Sequence, residues 1–327
     1  MKNIVKLIIV LCFAFTCISA NAAVSDYKMY LGAEEYKSTA EDGTENRTTY
    51  LRASVDIADD EAELPELDGT GILALYDKED NLINVTYSDV TVDSWVNWGT
   101  SIPSEEISGC EYMRGFLWMN DGSLEPVCIS EKTGINKLSL STREETTNDP
   151  AVITLDTGDA EIIEKKYGKY TSGSYAPPAI SWYFANRIEE EIDIQGNSFE
   201  VKENGSYVVY VKDANGLESY KTITISNIQR PEIELSYNVV DGKAVVNVNL
   251  VEYNENVSVQ KIVWTEYRQM SGGSMVDSIL RGGTEIEGNT FEVTENGTYA
   301  VAVIDEWGNK SYKTIKITIS EEAAAQA

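Results

Sequence analysis

The sequence contains no histidine. That absence removes Ser-His-Asp and Cys-His catalysis and the imidazole zinc sites. Cysteine is scarce, at four residues, and two of these, Cys12 and Cys17, lie in the first apolar run. Basic residues are few: 26 Lys and Arg stand against 54 Asp and Glu, for a net charge of −28. A surface this acidic repels nucleic acid and anionic lipid, so neither is expected as a partner. Long apolar runs are also missing beyond the N-terminus. Only Leu7–Ile18 is continuous, behind Lys2 and Lys6 and ahead of Ala20-Asn21-Ala22. This pattern predicts a secretory signal peptide over residues 1–22, cleaved after Ala22, with no membrane insertion afterwards. Neither Cys12 nor Cys17 has the small preceding residues that lipidation requires.

With the leader gone, the charge goes from −28 to −30 by loss of Lys2 and Lys6, and Cys110 and Cys128 are the cysteines left. An exported chain can close such a pair into a disulfide. A buried thiol at Cys128 is the alternative.

What the sequence does have is a repeat. Phe199-Glu-Val-Lys-Glu-Asn-Gly-Ser-Tyr207 recurs as Phe291-Glu-Val-Thr-Glu-Asn-Gly-Thr-Tyr299, and 17 of 29 positions match between 199–227 and 291–319. Extended backwards with gaps, Ala151–Leu155 aligns with Ala244–Val248 and Tyr167 with Trp264, which makes a unit of about 90–95 residues. Val201, Tyr207, Val209 and Val211 alternate at period two, the mark of a strand. Asn204-Gly205 and Asn296-Gly297 read as tight turns with left-handed angles at the glycine. Asp213-Ala-Asn-Gly216 and Asp305-Glu-Trp-Gly308 close the next hairpin. Tyr207 and Tyr299 stand where a sandwich domain places a corner tyrosine, and Tyr167 and Trp264 where it buries an aromatic.

The organisation expected is therefore all-β: three tandem Ig-like or fibronectin-like sandwiches with almost no helix. An N-terminal β-sandwich domain spans 23–131, a first repeat 133–228 and a second repeat 231–320, with a disordered tail over 321–327. The join at Ile228-Gln229-Arg230-Pro231 is too short for a loose linker.

The repeats resemble bacterial Ig-like domains found in tandem on secreted and surface proteins of Firmicutes. The residues that carry this are Phe-x-Val-x-Glu-Asn-Gly-[Ser/Thr]-Tyr, Val-x-Asp-x-x-Gly and Lys-Thr-Ile, present in both copies. The first domain resembles an accessory β-sandwich of clostridial surface proteins and polysaccharide-degrading enzymes, through Ala74-Leu-Tyr-Asp77, Leu82-Ile-Asn-Val85, Phe116-Leu-Trp118 and Glu125-Pro-Val127. It departs from that family at Met119 and Asn120, where Asp-Ser is usual. The resemblance implies a non-catalytic role in binding or architecture.

Candidate chemistry is sparse. Asp77, Glu79 and Asp80 share a turn but lack the alternating ligand pattern of a calcium loop, so an ordinary hairpin is expected. No catalytic pair, metal or cofactor is implied. Trp95 and Trp98 are three apart on a strand and should face opposite sides. Trp307, at a hairpin tip where the first repeat has Asn215, is the candidate ligand contact. The function expected is a secreted interaction, adhesion or spacer array at the cell envelope, whose partner is an extracellular protein or glycan. A carbohydrate-binding accessory protein is the alternative.

Overall fold

Alternation of apolar and polar residues makes Tyr27–Thr39 and Glu45–Ile57 a pair of long strands, β1 and β2, whose register runs from Tyr27↔Ile57 to Thr39↔Glu45. The structure is a computed structural model, and it describes residues 27–319 apart from 41, 58–66, 93–94, 120–125, 127, 131, 136–137, 171–179, 252–256 and 268–273. The expected leader, the tail and the Asn120-Asp121-Gly122 turn lie outside the described residues. After β2 come β3 (Leu67–Tyr76), β4 (Leu82–Val92), β5 (Trp95–Pro103), β6 (Tyr112–Met119), β7 (Cys128–Ile129) and β8 (Thr133–Gly134). The first repeat supplies β9 (Ser139–Ser141), β10 (Ala151–Asp156), β11 (Ile162–Tyr170), helix α1 (Ile180–Asn186), β12 (Ile192–Asp193), β13 (Ser198–Val201), β14 (Gly205–Asp213) and β15 (Glu218–Ile225). The second supplies β16 (Glu232–Val240), β17 (Lys243–Val251), β18 (Val259–Glu266), helix α2 (Met275–Gly282), β19 (Thr284–Glu285), β20 (Thr290–Val293), β21 (Gly297–Asp305) and β22 (Lys310–Ile317). The fold class is all-β, as the sequence predicts.

Two compact units result. One runs to Ser141 and takes Thr154–Phe199 and Ser206–Ile223; the other takes Thr142–Ile153, Glu200–Gly205 and Thr224 onward. In the first unit, sheet β1-β2-β5 faces strands β3 and β6. Leu31, Leu51, Ala53 and Val55 meet Leu73, Leu75, Met113 and Leu117 between the layers. Each fully buried leucine there stabilises the fold by about 1.5–3 kcal/mol. Trp98 fills the core because Gly71 lies under it: a β-carbon at Gly71 would sit 2.5 Å from the indole. Trp95 is 52% exposed and Trp98 7% exposed, so the pair does face opposite sides.

The strand Thr133–Gly134 joins two regions. It pairs antiparallel with β6 and parallel with β15. One sheet therefore runs β12-β11-β14-β15-β8-β6-β3-β4, through the first repeat and into the N-terminal strands.

The two helices depart from the expectation of almost none. Each repeat inserts one after its third strand, at the same place. In the first unit Ile180 and Phe184 of α1 cover Val208 and Tyr210 of β14. In the second, Ile279 of α2 covers Val263, Ala300 and Ala302. Helix α2 is N-capped by Ser274, whose side chain accepts from the Asp277 amide, and Asp277 in its first turn pairs with Lys310 at 2.9 Å. Covered on both sides, β14 and β21 bury consecutive residues rather than alternate ones.

Within each repeat a matching aromatic set fills the interior. Tyr167 stacks on Phe199 with centroids 4.0 Å apart and lies 6.4 Å from Tyr207. Trp264 stacks on Phe291 at 4.6 Å and lies 5.9 Å from Tyr299. The Tyr299 hydroxyl donates to the Glu295 carbonyl at 2.9 Å, which is the corner bond expected of it.

One expectation about the glycines is corrected. Gly205 and Gly297 begin β14 and β21 without positive φ. Matched left-handed glycines do occur in the two repeats, but elsewhere: Gly216 (φ 80°) and Gly308 (φ 88°) at the ends of the Asp-x-x-Gly turns, and Gly196 (φ 81°) and Gly288 (φ 89°) ahead of β13 and β20.

Candidate interaction site

The hairpins at 213–217 and 305–309 are built alike. Asp213 Oδ1 accepts from the amides of Asn215 at 2.9 Å and Leu217 at 2.8 Å. Asp305 Oδ1 accepts from Trp307 at 2.9 Å and Asn309 at 2.8 Å. In each, the aspartate amide donates to the carbonyl four residues on, and the glycine amide donates back to the aspartate carbonyl. A carboxylate that accepts two backbone amides fixes the turn from inside, as such residues do elsewhere. The last residue then points away from the turn, and there the copies differ: one has Leu217, the other Asn309.

Leu217 is buried with Ala74, Tyr76 and Tyr112 of β3 and β6. Tyr76 and Tyr112 stack at 5.0 Å. The Tyr112 hydroxyl donates to Asp80 Oδ1 at 2.6 Å, and Lys132 pairs with the same oxygen at 2.9 Å and lies 4.2 Å from the Tyr112 ring centroid. The Tyr112 and Lys132 bonds hold the Asp80 carboxyl below its ordinary range. Desolvation, then the bond to Asp80, pushes the Tyr112 phenol well above its own. The neighbouring Asp77 accepts from the amides of Glu79 and Asn81, so the acidic turn is a hairpin, as expected. Among the described residues no acidic, cysteine or histidine cluster is arranged to hold a metal.

Asn309 makes a polar counterpart. It is 2% exposed. Its Oδ1 accepts from the Asn204 amide at 2.9 Å and from Asn204 Nδ2 at 3.0 Å, and its Nδ2 donates to the Lys202 carbonyl at 2.9 Å. Asn204 in turn accepts from the Ile228 amide at 3.1 Å and donates to the Ile228 carbonyl at 2.6 Å. Asn204 thus ties the chain leaving the first repeat to the hairpin of the second. All these residues belong to the second unit. The backbone of Gly308 comes so close that a β-carbon there would sit 2.8 Å from Glu203 Cδ.

Trp307, the candidate ligand contact, lies in this same contact. It is half-buried, and Lys202 Nζ lies 5.7 Å from its ring centroid. The ring has a partner that the sequence does not reveal, because Lys202 is remote along the chain.

Cys110 and Cys128 carry no bond to one another; both are thiols. Cys128 is buried in the first unit's core, its Sγ 3.4 Å from the Tyr27 carbonyl, and Cys110 packs at the rim of that core. The register explains this. Cys128 lies opposite Leu117, while Cys110 precedes Tyr112 at the other end of β6. At about 3.3 Å per residue, the five residues from Tyr112 to Leu117 alone span ~17 Å, far beyond disulfide range. Desolvation raises the Cys110 thiol above its usual value.

A cavity beside Asp213, Leu217 and Ser219 has a volume of about 10 Å³, room for little more than one water and far below the ~300 Å³ at which small-molecule sites begin. The outer face of sheet β1-β2-β5 carries Tyr36, Tyr50 and Trp95, all exposed, with Tyr36 and Tyr50 edge-to-face at 5.0 Å.

No family model and no curated protein matches the chain. Solved structures similar to it include a tetra-tandem repeat from the extending region of a large adhesion protein, with 12% identity, TM-score 0.24 and coverage of 89% of this chain and 75% of that one. The BSP domain of a biofilm-associated protein gives 10% identity, TM-score 0.21 and coverage of 95% and 70%. Red sea bream transglutaminase gives 8% identity and TM-score 0.24; the match covers 63% of this chain but 32% of the enzyme's length.

Proposed function

We propose that this protein is a secreted array of Ig-like modules that acts without catalysis, as an interaction, adhesion or spacer protein at the cell envelope. One observation carries the reading. The most distinctive repeated motif, Asp-x-x-Gly, is engaged in both copies in holding one module segment against another. Leu217 does so on Tyr76 and Tyr112, and Asn309 on Lys202 and Asn204. A repeat whose signature turn presents a joining residue just after its glycine is suited to setting spacing and presentation. The high negative charge keeps such an array soluble and restricts its partners to proteins or glycans.

A second reading, carbohydrate binding, is favoured by the exposed Tyr36, Tyr50 and Trp95 on one sheet face. Aromatic rings at a surface offer apolar faces on which sugars pack.

Cell fractionation followed by binding of the purified mature chain to envelope fractions, matrix proteins and a glycan array tests both. The array reading expects an exported protein, saturable protein or envelope binding and no polysaccharide turnover. Glycan binding lost in Trp95→Ala or Trp307→Ala would favour the second reading, and turnover of any polysaccharide would overturn both.

A further inference from the structure

Two Asn-Gly pairs stand at the same place in the two repeats, Asn204-Gly205 and Asn296-Gly297. An asparagine followed by glycine carries a latent reaction, one source of the thermal lability of this residue. The glycine amide nitrogen attacks the asparagine Cγ, unhindered because glycine has no β-carbon. The Cγ–Nδ2 bond breaks and ammonia leaves with the proton of the attacking amide, which closes a five-membered imide. One water then opens the ring at either carbonyl, to aspartate or isoaspartate. The sum converts one side-chain amide and one water into one carboxylate and one ammonium ion, with no oxidant or reductant.

The attacking amides start alike. Gly205 and Gly297 each open a strand, β14 and β21, and neither has positive φ. The carbonyls are also alike: Asn204 Oδ1 accepts from the Ile228 amide and Asn296 Oδ1 from the Ile319 amide. The leaving groups differ. Asn204 is half-buried, and its Nδ2 donates to the Ile228 carbonyl at 2.6 Å and to Asn309 Oδ1 at 3.0 Å. Asn296 is exposed, and its Nδ2 has no partner among the described residues. A third pair, Asn215-Gly216, is no match for these, because its glycine is left-handed and its glycine amide is bound inside the turn to the Asp213 carbonyl.

We propose that Asn204 is a guarded hydrolysis site: Asn309 holds its side-chain amide in place, and when the 305–309 hairpin lifts, Asn204 converts to aspartate or isoaspartate and the contact cannot re-form. As an amide, residue 204 gives a donor to Asn309 Oδ1 and to the Ile228 carbonyl. A carboxylate has no hydrogen to give and sets an oxygen against both. Asn309 cannot adapt by turning its own amide over, because its Nδ2 is committed to the Lys202 carbonyl at 2.9 Å and the reversed amide would face that carbonyl with oxygen. Isoaspartate does more, since it routes the backbone through the side-chain carbon. With ammonia lost the step runs one way, so the state of residue 204 records whether the contact has ever opened. This rests on the reading of the hairpin as a joining element and adds an irreversible consequence to its opening.

The full chain, held in warm and mildly alkaline buffer and sampled over time by peptide mass mapping, tests this with Asn296 as the internal reference. Asn204 should convert at least about tenfold more slowly than Asn296, the factor that two hydrogen bonds to the leaving amide support. Asn309→Ala should speed Asn204 by about threefold or more relative to Asn296, as the loss of one such bond supports. The amides of Val301 and Val303 should stay protected from exchange in that variant and show that the repeat is folded. Gly205→Ala added to it should slow Asn204 again, because a β-carbon then hinders the attack. Should Asn309→Ala fail to fold, Asn204→Asp, the product itself, replaces it. The amide of residue 204, which bonds Asn309 Oδ1 in the parent, must then exchange at least about tenfold faster; exchange at the parent rate would overturn the proposal. Conversion of Asn204 as fast as Asn296 in the parent would also overturn it. Slow conversion that Asn309→Ala leaves unchanged in a folded chain would assign the protection to the strand, so the proposal fails while the joining reading stands or falls on the coupling of Asn204 and Asn309 in unfolding.

Discussion

The hairpins at 213–217 and 305–309 share their aspartate, their glycine and the same internal bonds, yet they rest on different surfaces. Leu217 sits among tyrosines and Asn309 on backbone groups. The shared residues make the turn, and one residue after the glycine decides what the turn can dock on. An apolar side chain at that place gains by leaving water and is indifferent to direction. An amide there must meet a donor and an acceptor at fixed positions or be left unsatisfied.

The largest effect should come from removing what the hairpins share. Asp305→Ala strips one buried and one part-buried amide of a charged acceptor, at about 1.5–3 kcal/mol each, so the second unit should lose about 3–6 kcal/mol. Asp213→Ala should cost the first unit a similar amount. Denaturant unfolding followed by unit-specific tryptophan and exchange probes checks this, and a large loss in one unit alone would break the equivalence.

A smaller effect should separate the docking residues. Leu217→Ala creates a cavity beside Tyr76 and Tyr112 and should cost the first unit about 2–3 kcal/mol. Asn309→Leu leaves the Asn204 amide and the Lys202 carbonyl without their partner and should cost the second unit about 1–2 kcal/mol. Equal penalties after exchanging the two residues, Leu217→Asn and Asn309→Leu, would mean that the position does not discriminate surfaces.

Alkaline pH should sharpen the difference between units by the least. Desolvation, followed by the nearby Glu218 charge, raises the phenols of Tyr210 and Tyr220, and desolvation with the Asp80 bond raises Tyr112. All three belong to the first unit. A phenol raised in the fold contributes stability that is complete below its unfolded value of about 10 and is lost as pH rises above that value toward the folded one. In the second unit Tyr299 is raised, chiefly by desolvation. Thermal unfolding between pH 8 and 11 should therefore show the first unit's transition falling further than the second's. The opposite order would contradict the assignment.

Much of the fold is legible in the sequence because it depends on local rules. The Asp-x-x-Gly hairpins, the corner tyrosine Tyr299 and the aromatic positions Tyr167 and Trp264 follow from turn chemistry and strand alternation. The two helices are hidden by their own consequence. They cover the outer faces of β14 and β21, so Tyr207–Val211 and Tyr299–Val303 are buried throughout, and a continuous apolar run gives no sign of what lies on its second face. Thr133–Gly134, which joins the N-terminal strands to the first repeat, is two residues long and too short to carry a period. The sequence points to Gly205 and Gly297 for the left-handed turn, although neither has positive φ and other glycines such as Gly216 and Gly308 do, because Asn-Gly is a strong turn signal and here precedes a strand instead. The candidate site is half legible. Trp307 and its hairpin stand out, but Asn204, Lys202 and Asn309 are polar residues whose meaning lies in partners more than a hundred positions away.

A double-mutant cycle on Asn204 and Asn309 tests the central claim most directly. Asn204→Ala, Asn309→Ala and the double variant are unfolded in denaturant, with the second unit's transition read in each. If the hairpin is the joining element, the two losses are coupled by about 1–2 kcal/mol, as for residues that share a hydrogen-bond network. Losses that add to within about 0.3 kcal/mol would show that the two asparagines act independently and that the repeated hairpin does not join the modules.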